Sequence, residues 1–529
     1  MGSLWKVKVK SEKLATASVN MRKLLISFFA LLSLGVSAQD VQVLRGNCLP
    51  DMTDDMATAR SEVPRKRLTP VSLVWNQEEV YASPVILVSF SDRDFTVSDD
   101  LKAFYNDLFN TQGFNNGVGR GCVADYFRDQ SAGMFNARFD IYGPVKLPKG
   151  IKDYGKYGST AWKESVQKAI DSLAVDFSPY DWNGDGKVEQ VVFIYAGYGG
   201  NESAAAASGC IWPNTSSFST VTTSGGIKIS NYTCSAEMWS ANKSCGIGTI
   251  CHEFTHSLGL PDIYPTNSDN AYYSVVDEWD LMDGGNFVNS GWCPPNYSAL
   301  EKILLGWLTP IELTEPASVV GMKPVSDGGD VYLIRHTEDE YLLLENRQWS
   351  GWDQRAPGQG LLITHVDYNA SAWSANTVNN MENHHRYEHV HADNLDFNAW
   401  NAIVGDANPR VGGHNRHLST SPYPWSTDST DFVNSELTDT SVPAAKMFNA
   451  NAEGATLLGK PVTNIVQHED GTVSFDFMGG DPTAISTAVV NGEAVNSEVY
   501  DLQGRKVKSA GSGLKPGLYI RNGKVFLIK

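Results

Sequence analysis

Apolar residues in this chain form two kinds of run, and the change from one to the other divides it. "SPVILVSFSD" (83–92) and "EQVVFIYAGYG" (189–199) are unbroken apolar stretches closed by polar turns, the pattern of strands buried on both faces. "DDLKAFYNDLF", "VADYFRDQSAG" and "STAWKESVQKAIDSLAV" carry helical spacing, the last opened by Ser159 or Thr160 as a cap, and "MFNARFDIYGP" alternates as a strand. Strand and helix alternate as far as "LEKILLGWL", which predicts an α/β domain over 83–310. After Pro310 the pattern turns β-rich, with "GDVYLIRH", "EYLLLENRQ", "GQGLLITHVDY" and "GTVSFDFMGG" strand-like within a continuation over 311–480. Its stretch from about 370 to 461 is rich in Asn, Ser, Asp and Pro and reads as irregular. Residues 481–529 read as a small separate unit of short alternating strands, a β-sandwich in expectation. No internal repeat is apparent.

The N-terminal region changes the picture. "MRKLLISFFALLSLGVSAQD" opens at Met21 with two basic residues, continues through an apolar core and ends in the small-residue site Val36-Ser37-Ala38. Residues 1–38 therefore form a targeting segment, with a secretory signal peptide over 21–38. The apolar run is too short for a membrane span, which needs about 20 residues. No later segment qualifies either, so no transmembrane helix is expected in the mature chain. Residues 39–82 are polar and carry the basic run "PRKR" at 64–67, which reads as a pro-segment with a processing site. The 60 acidic residues outnumber the 42 basic ones for a formal charge of −18, which argues against nucleic acid or an anionic membrane as partner. Export permits disulfides, but the seven cysteines fix no pairing.

Candidate chemistry concentrates in "GTICHEFTHSLGLPD" (248–262). On a helix His252 and His256 lie on one face, one turn apart, where two ring nitrogens can share one ion at about 2.0–2.1 Å, as zinc prefers. Glu253, offset by about 100°, falls beside such an ion, where a base for a water molecule belongs. Gly259 allows a sharp turn after the helix that returns Asp262 as a third ligand. Three protein ligands leave a fourth position for water, the arrangement of a catalytic site. Glu278 is the other candidate for the third ligand; Asp262 is taken first.

These residues resemble the metzincin-like zinc peptidases and, more closely, the immune inhibitor A family of secreted bacterial metallopeptidases. The likeness spans most of 83 to about 365. It rests on "HEFTHSLGLPDIY", "EWDLMDGG", "YSALEKILLGWL" and "LENRQWSGWDQRAPGQGLLITHVD". It implies a mixed sheet with an active-site helix, a zinc cofactor, protein or peptide substrates, and Met282 as the methionine turn beneath the metal. His365 and Asp367 share in the likeness without a chemical role. The C-terminal stretches "YDLQGRKV" and "LKPGLYIRNGKVFLIK" resemble the sorting domain of the type IX secretion system, which implies that machinery as a partner and a secreted or cell-surface location.

Two further candidates remain. "DWNGDGKVE" sets Asp181, Asn183 and Asp185 at alternate positions around a Gly turn with Glu189 following, a calcium-type oxygen pattern without the twelfth-position Glu of an EF-hand. Cys48 precedes the processing run and resembles the latency cysteine of matrix metalloproteases. The histidine-rich "NHHRYEHVHAD" (383–393) reads as a surface strand rather than a metal site. The expectation is a secreted zinc endopeptidase made as a zymogen. The alternative is a surface adhesin or glycan-binding protein on a degenerate peptidase fold.

Overall fold

Nine consecutive buried residues, "YASPVILVS", make β1 (Tyr81–Ser89) the centre of the first sheet. The computed structural model describes residues 75–201, 207–240, 243–267, 274–396, 418–426 and 433–480. Beyond these it describes strand backbone at 485–486, 499–501, 506–507, 517–521 and 524–528. The segment 21–38 read as a signal peptide, the "PRKR" run and Cys48 lie outside the described residues.

β1 pairs in parallel with β2 (Ala137–Lys146) and β3 (Val191–Tyr198), and β3 pairs in parallel with β5 (Lys228–Ser240). β4 (Asn214–Thr222) closes the edge antiparallel to β5, giving the order β2-β1-β3-β5-β4. A sheet of this kind reads as unbroken apolar runs because helices cover both faces. Along β1, Val85 and Leu87 enter one core, while Ile86 and Val88 enter the other. Helices α1 (Leu101–Asn110), α2 (Val123–Gln130) and α4 (Gly248–Ser257) supply Leu108, Phe127, Ile250 and Phe254 to the first core. α3 (Ser159–Leu173) supplies Trp162 and Val166 to the second. Cys122 caps α2, its sulfur accepting from the Asp125 amide, and burial pushes its thiol up to about 12. No helix among the described residues is long and apolar enough to cross a membrane.

The β-rich continuation is built onto this first core. After the short strands β6 (Lys243–Ser244), β7 (Ile311–Glu312) and β8 (Ala317–Met322), its main sheet contains β9 (Tyr332–Arg335), β10 (Glu340–Arg347), β11 (Gly360–Asp367) and β12 (Tyr387–His389), paired antiparallel in the order β12-β11-β10-β9. One face sends Leu333, Leu343 and Val366 into the core that holds α4, and the other sends Ile334, Leu342 and Ile363 into a third core. Residues on either side of position 310 thus share one interior. Arg347, 1% exposed, joins them further. Its guanidinium holds Asp353 through two bonds of 2.7 and 2.5 Å and lies over the Trp279 ring. Asp353 in turn accepts from the Asn296 backbone and side chain. Trp75 is packed at the other end, against Tyr81 and Phe135, with its indole N–H on the Leu305 carbonyl at 2.6 Å. Residues just ahead of 83 are therefore packed on the domain. The chain separates into compact units at Ile485/Ser486. The second unit contains one four-stranded antiparallel sheet ordered Lys506–Val507, Val499–Asp501, Gly517–Arg521, Lys524–Ile528.

Glu340 gives the fold an acid-sensitive tie. Its buried carboxylate accepts from His365 at 2.8 Å and from the Phe448 and Asn449 amides at 2.6 and 2.9 Å. Burial opposes the charge, yet these partners outweigh it and hold the group at about 2. The folded value lies below the unfolded one. The contribution, up to about 3 kcal/mol, is therefore full above about pH 4.5 and vanishes as pH falls through 2. Urea unfolding is expected to find Glu340→Gln less stable at pH 7, with a smaller further loss between pH 4.5 and 2 than the parent.

Candidate metal centre

The helix that carries the site is pressed flush against the 286–291 loop. A Cβ on Gly248 would sit 2.1 Å from the Asn286 carbonyl oxygen, so only glycine fits there. From Gly248 to Thr255 every residue of α4 is buried, and its polar groups need partners. His252 Nδ1 meets the Leu281 carbonyl at 2.8 Å, and His256 Nδ1 meets the Leu260 carbonyl at 2.8 Å. A carbonyl only accepts, so each Nδ1 carries the hydrogen and each Nε2 is left with a lone pair. The two rings stand nearly perpendicular with centroids 4.9 Å apart. After the helix Gly259, at φ +103°, takes a backbone conformation that favours glycine and reverses the chain. The reversal brings Asp262 Oδ1 to 3.2 Å from both Nε2 atoms.

With both rings neutral, three electron-pair donors thus converge in a buried pocket, and no group other than these rings approaches Asp262 Oδ1 as a hydrogen-bond partner. Such a cluster repels itself unless a cation lies within it. Two ligands at 2.0–2.1 Å under a tetrahedral angle stand about 3.3 Å apart, so the observed spacing fits zinc. The pocket's appetite for positive charge also appears in its acidities. Burial disfavours the His256 cation, but Asp262 more than compensates and raises the ring to about 9. Burial also opposes the Asp262 carboxylate, and the two imidazoles reverse that and hold it well below the usual range. Among the described residues, this is the group of His, Cys, Asp or Glu side chains whose ligand atoms gather within reach of one ion. Glu278, on the short turn Asp277–Trp279, is not part of it.

Glu253 is 4% exposed beside this cluster. Thr215 on the edge strand β4 reaches it twice, its one hydroxyl hydrogen shared between the Glu253 carbonyl at 2.5 Å and Oε2 at 3.1 Å. Burial raises the Glu253 carboxyl above its ordinary value, against the opposing pull of His252, His256 and Thr215. A carboxylate tuned in this direction accepts protons more readily. Met282 is fully buried in the core that holds Ile250 and Cys251, and its carbonyl accepts from Ile263 at 2.8 Å. Its neighbour Leu281 supplies the carbonyl that fixes the His252 ring, so the "WDLM" segment orients the helix histidine through its backbone.

The other predicted residues sit elsewhere. In the 181–189 turn, Asp181 accepts from the Asp185 and Gly186 amides, Asn183 from Asp185, and Glu189 from Trp182. The Lys187 ammonium pairs with Asp185 at 2.7 Å. Burial pushes Glu189 up to about 7. Asp181, Asp185 and Glu189 do not form a converging ligand group. His365 and Asp367 tie the fold together, the first holding Glu340 and the second accepting from Arg386 and His384 at 2.7 Å. The histidine-rich stretch is not a surface strand. β12 adds to the edge of β11, and His385, His389 and His391 are all at most 6% exposed. Burial beside Arg347 pushes His389 down to about 3. Alternation along the strand was legible, but not what would cover it. The sequence reading missed Thr215, whose alignment with Glu253 depends on sheet pairing, and Asn376, which holds Asp262.

A mixed α/β domain whose buried helix and following turn converge two imidazoles and a carboxylate, with a second carboxylate alongside, has the donor set a metal-dependent hydrolase needs. Residues 86–304 match the immune inhibitor A peptidase M6 catalytic domain, which supports a metallopeptidase. Over 200 residues the chain is 28% identical to Immune inhibitor A of Bacillus thuringiensis subsp. alesti. That alignment covers 34% of this chain and 27% of the relative, so the chain spans about a quarter of that protein's length.

Proposed function

We propose that this chain is a zinc endopeptidase that is exported through its 21–38 signal peptide and made as a zymogen whose pro-segment, within 39–82, is cut at the 64–67 run so that Trp75 and β1 stay with the mature domain. One observation carries the reading: two imidazoles with their Nδ1 atoms tied to carbonyls turn both Nε2 lone pairs onto one Asp262 oxygen. His252, His256 and Asp262 would hold the ion, and Glu253 would act as general base. When bound, zinc supplies Lewis acidity toward water and the substrate carbonyl. Glu253 accepts the proton of the attacking water and returns it to the leaving amine. Thr215 keeps the carboxylate aimed during both transfers, and the buried walls strengthen each electrostatic contact.

The remaining assignments belong to the same proposal. The 481–529 unit serves type IX export and Cys48 restrains the proenzyme, whereas the Asp181–Glu189 turn, whose carboxylates serve local amides and Lys187, is not assigned a calcium ion. Gelatin zymography of the processed protein tests the central part. A cleared band that a chelator abolishes supports an endopeptidase. Untouched gelatin despite bound zinc contradicts it and favours the adhesin.

A further inference from the structure

The carboxylate that completes the candidate metal centre is held by a residue 114 positions away in sequence, outside the residues 86–304 that match the peptidase family. The short helix Ala370–Ser374 is anchored by buried Trp373. It ends with Thr377 N–H on the Ala372 carbonyl and Asn376 N–H on the Trp373 carbonyl, the paired closure of a Schellman motif. That motif needs a left-handed residue, and Asn376 fills it at φ +57°. Asparagine is, with glycine, the side chain that tolerates this conformation best. The geometry turns its amide onto Asp262 at both ends. Nδ2 donates to Asp262 Oδ2 at 2.6 Å, and Oδ1 accepts from the Asp262 backbone N–H at 2.7 Å. Nearby, Asn379 donates to the Ile263 carbonyl at 3.0 Å, so the segment grips the 262–263 turn at adjacent residues.

We infer that Asn376 is a positioning residue for the metal centre: it occupies Asp262 Oδ2 so that Oδ1 faces the two imidazoles. Resting on the zinc-site reading, this assignment makes the β-rich continuation part of the active centre. A carboxylate with one oxygen engaged binds an ion through the other in a fixed direction, and loss of such an outer partner costs about 10–100-fold in metal affinity.

The test is zinc affinity of the full chain by competition with a chromophoric chelator. Asn376→Gly keeps the left-handed backbone and removes the amide; Asn376→Asp keeps the shape and the acceptor for the Asp262 N–H but removes the donor to Oδ2. Both are expected to weaken zinc by about 10–100-fold. Asn464 is a matched control, also left-handed at φ +52° and donating to an aspartate, Asp476 Oδ2, at 2.7 Å in an exposed position. Asn464→Gly should bind zinc as the parent does. If Asn376→Asp binds zinc as tightly as the parent, the amide merely supports the turn and the assignment is overturned. If the parent itself takes up no zinc, the metal-centre reading falls and this one with it.

Discussion

Glu253→Gln is expected to lower kcat on a peptide substrate by about 10²–10⁴-fold, the usual worth of a general base, while zinc remains at one ion per chain. Glutamine keeps the size of the side chain and an oxygen for the Thr215 hydroxyl at Oε2. It cannot take a proton. Glu253 is not among the three donors that converge, so metal content should not change. Burial disfavours its charge, so the neutral amide should leave thermal stability equal to the parent or slightly higher. Metal analysis and single-turnover kinetics on one preparation measure both quantities. Undiminished kcat would remove Glu253 from the chemistry, and lost zinc would recast it as a ligand.

His256→Ala should have the larger effect on the metal. It deletes one of three donors, and Asp262 Oδ1, which no hydrogen bond serves, then faces His252 alone. Losing a ligand should cost more affinity than the 10–100-fold typical of an outer partner. Zinc is therefore expected to wash out on dialysis, with peptide hydrolysis falling to background. His391→Ala is the useful contrast. That residue is also buried, 6% exposed, but its Nδ1 meets the Ser421 hydroxyl at 2.9 Å, far from this chemistry in role. It should lose stability and keep zinc. Equal zinc loss in both variants would mean that uptake tracks folding rather than this site.

What the sequence made legible is what depends on neighbours along the chain. The one-turn spacing of His252 and His256, the turn at Gly259 and the apolar runs of β1 and β3 are local patterns, and the structure has each where the pattern predicts. Contacts made by distant segments were not legible. Nothing in "SANTVNN" points to Asp262, because the left-handed cap that aims Asn376 acquires meaning only when the two turns meet. Likewise β12 alternates as an exposed strand would, yet Tyr387 enters the first core and His389 lies against the Trp279 ring. Secondary structure does become β-rich after Pro310, yet Leu343 and Val366 belong to the core that holds Ile250. A shift in secondary-structure type need not mark the edge of a core.

Two imidazoles of one helical turn and the Asp262 carboxylate are expected to hold a single divalent ion. Zinc K-edge X-ray absorption on the stoichiometrically loaded full chain addresses it directly. The expected spectrum has a nitrogen and oxygen shell at about 2.0–2.1 Å with outer scattering from two imidazole rings. A sulfur shell at about 2.3 Å, or scattering from fewer than two rings, would contradict it.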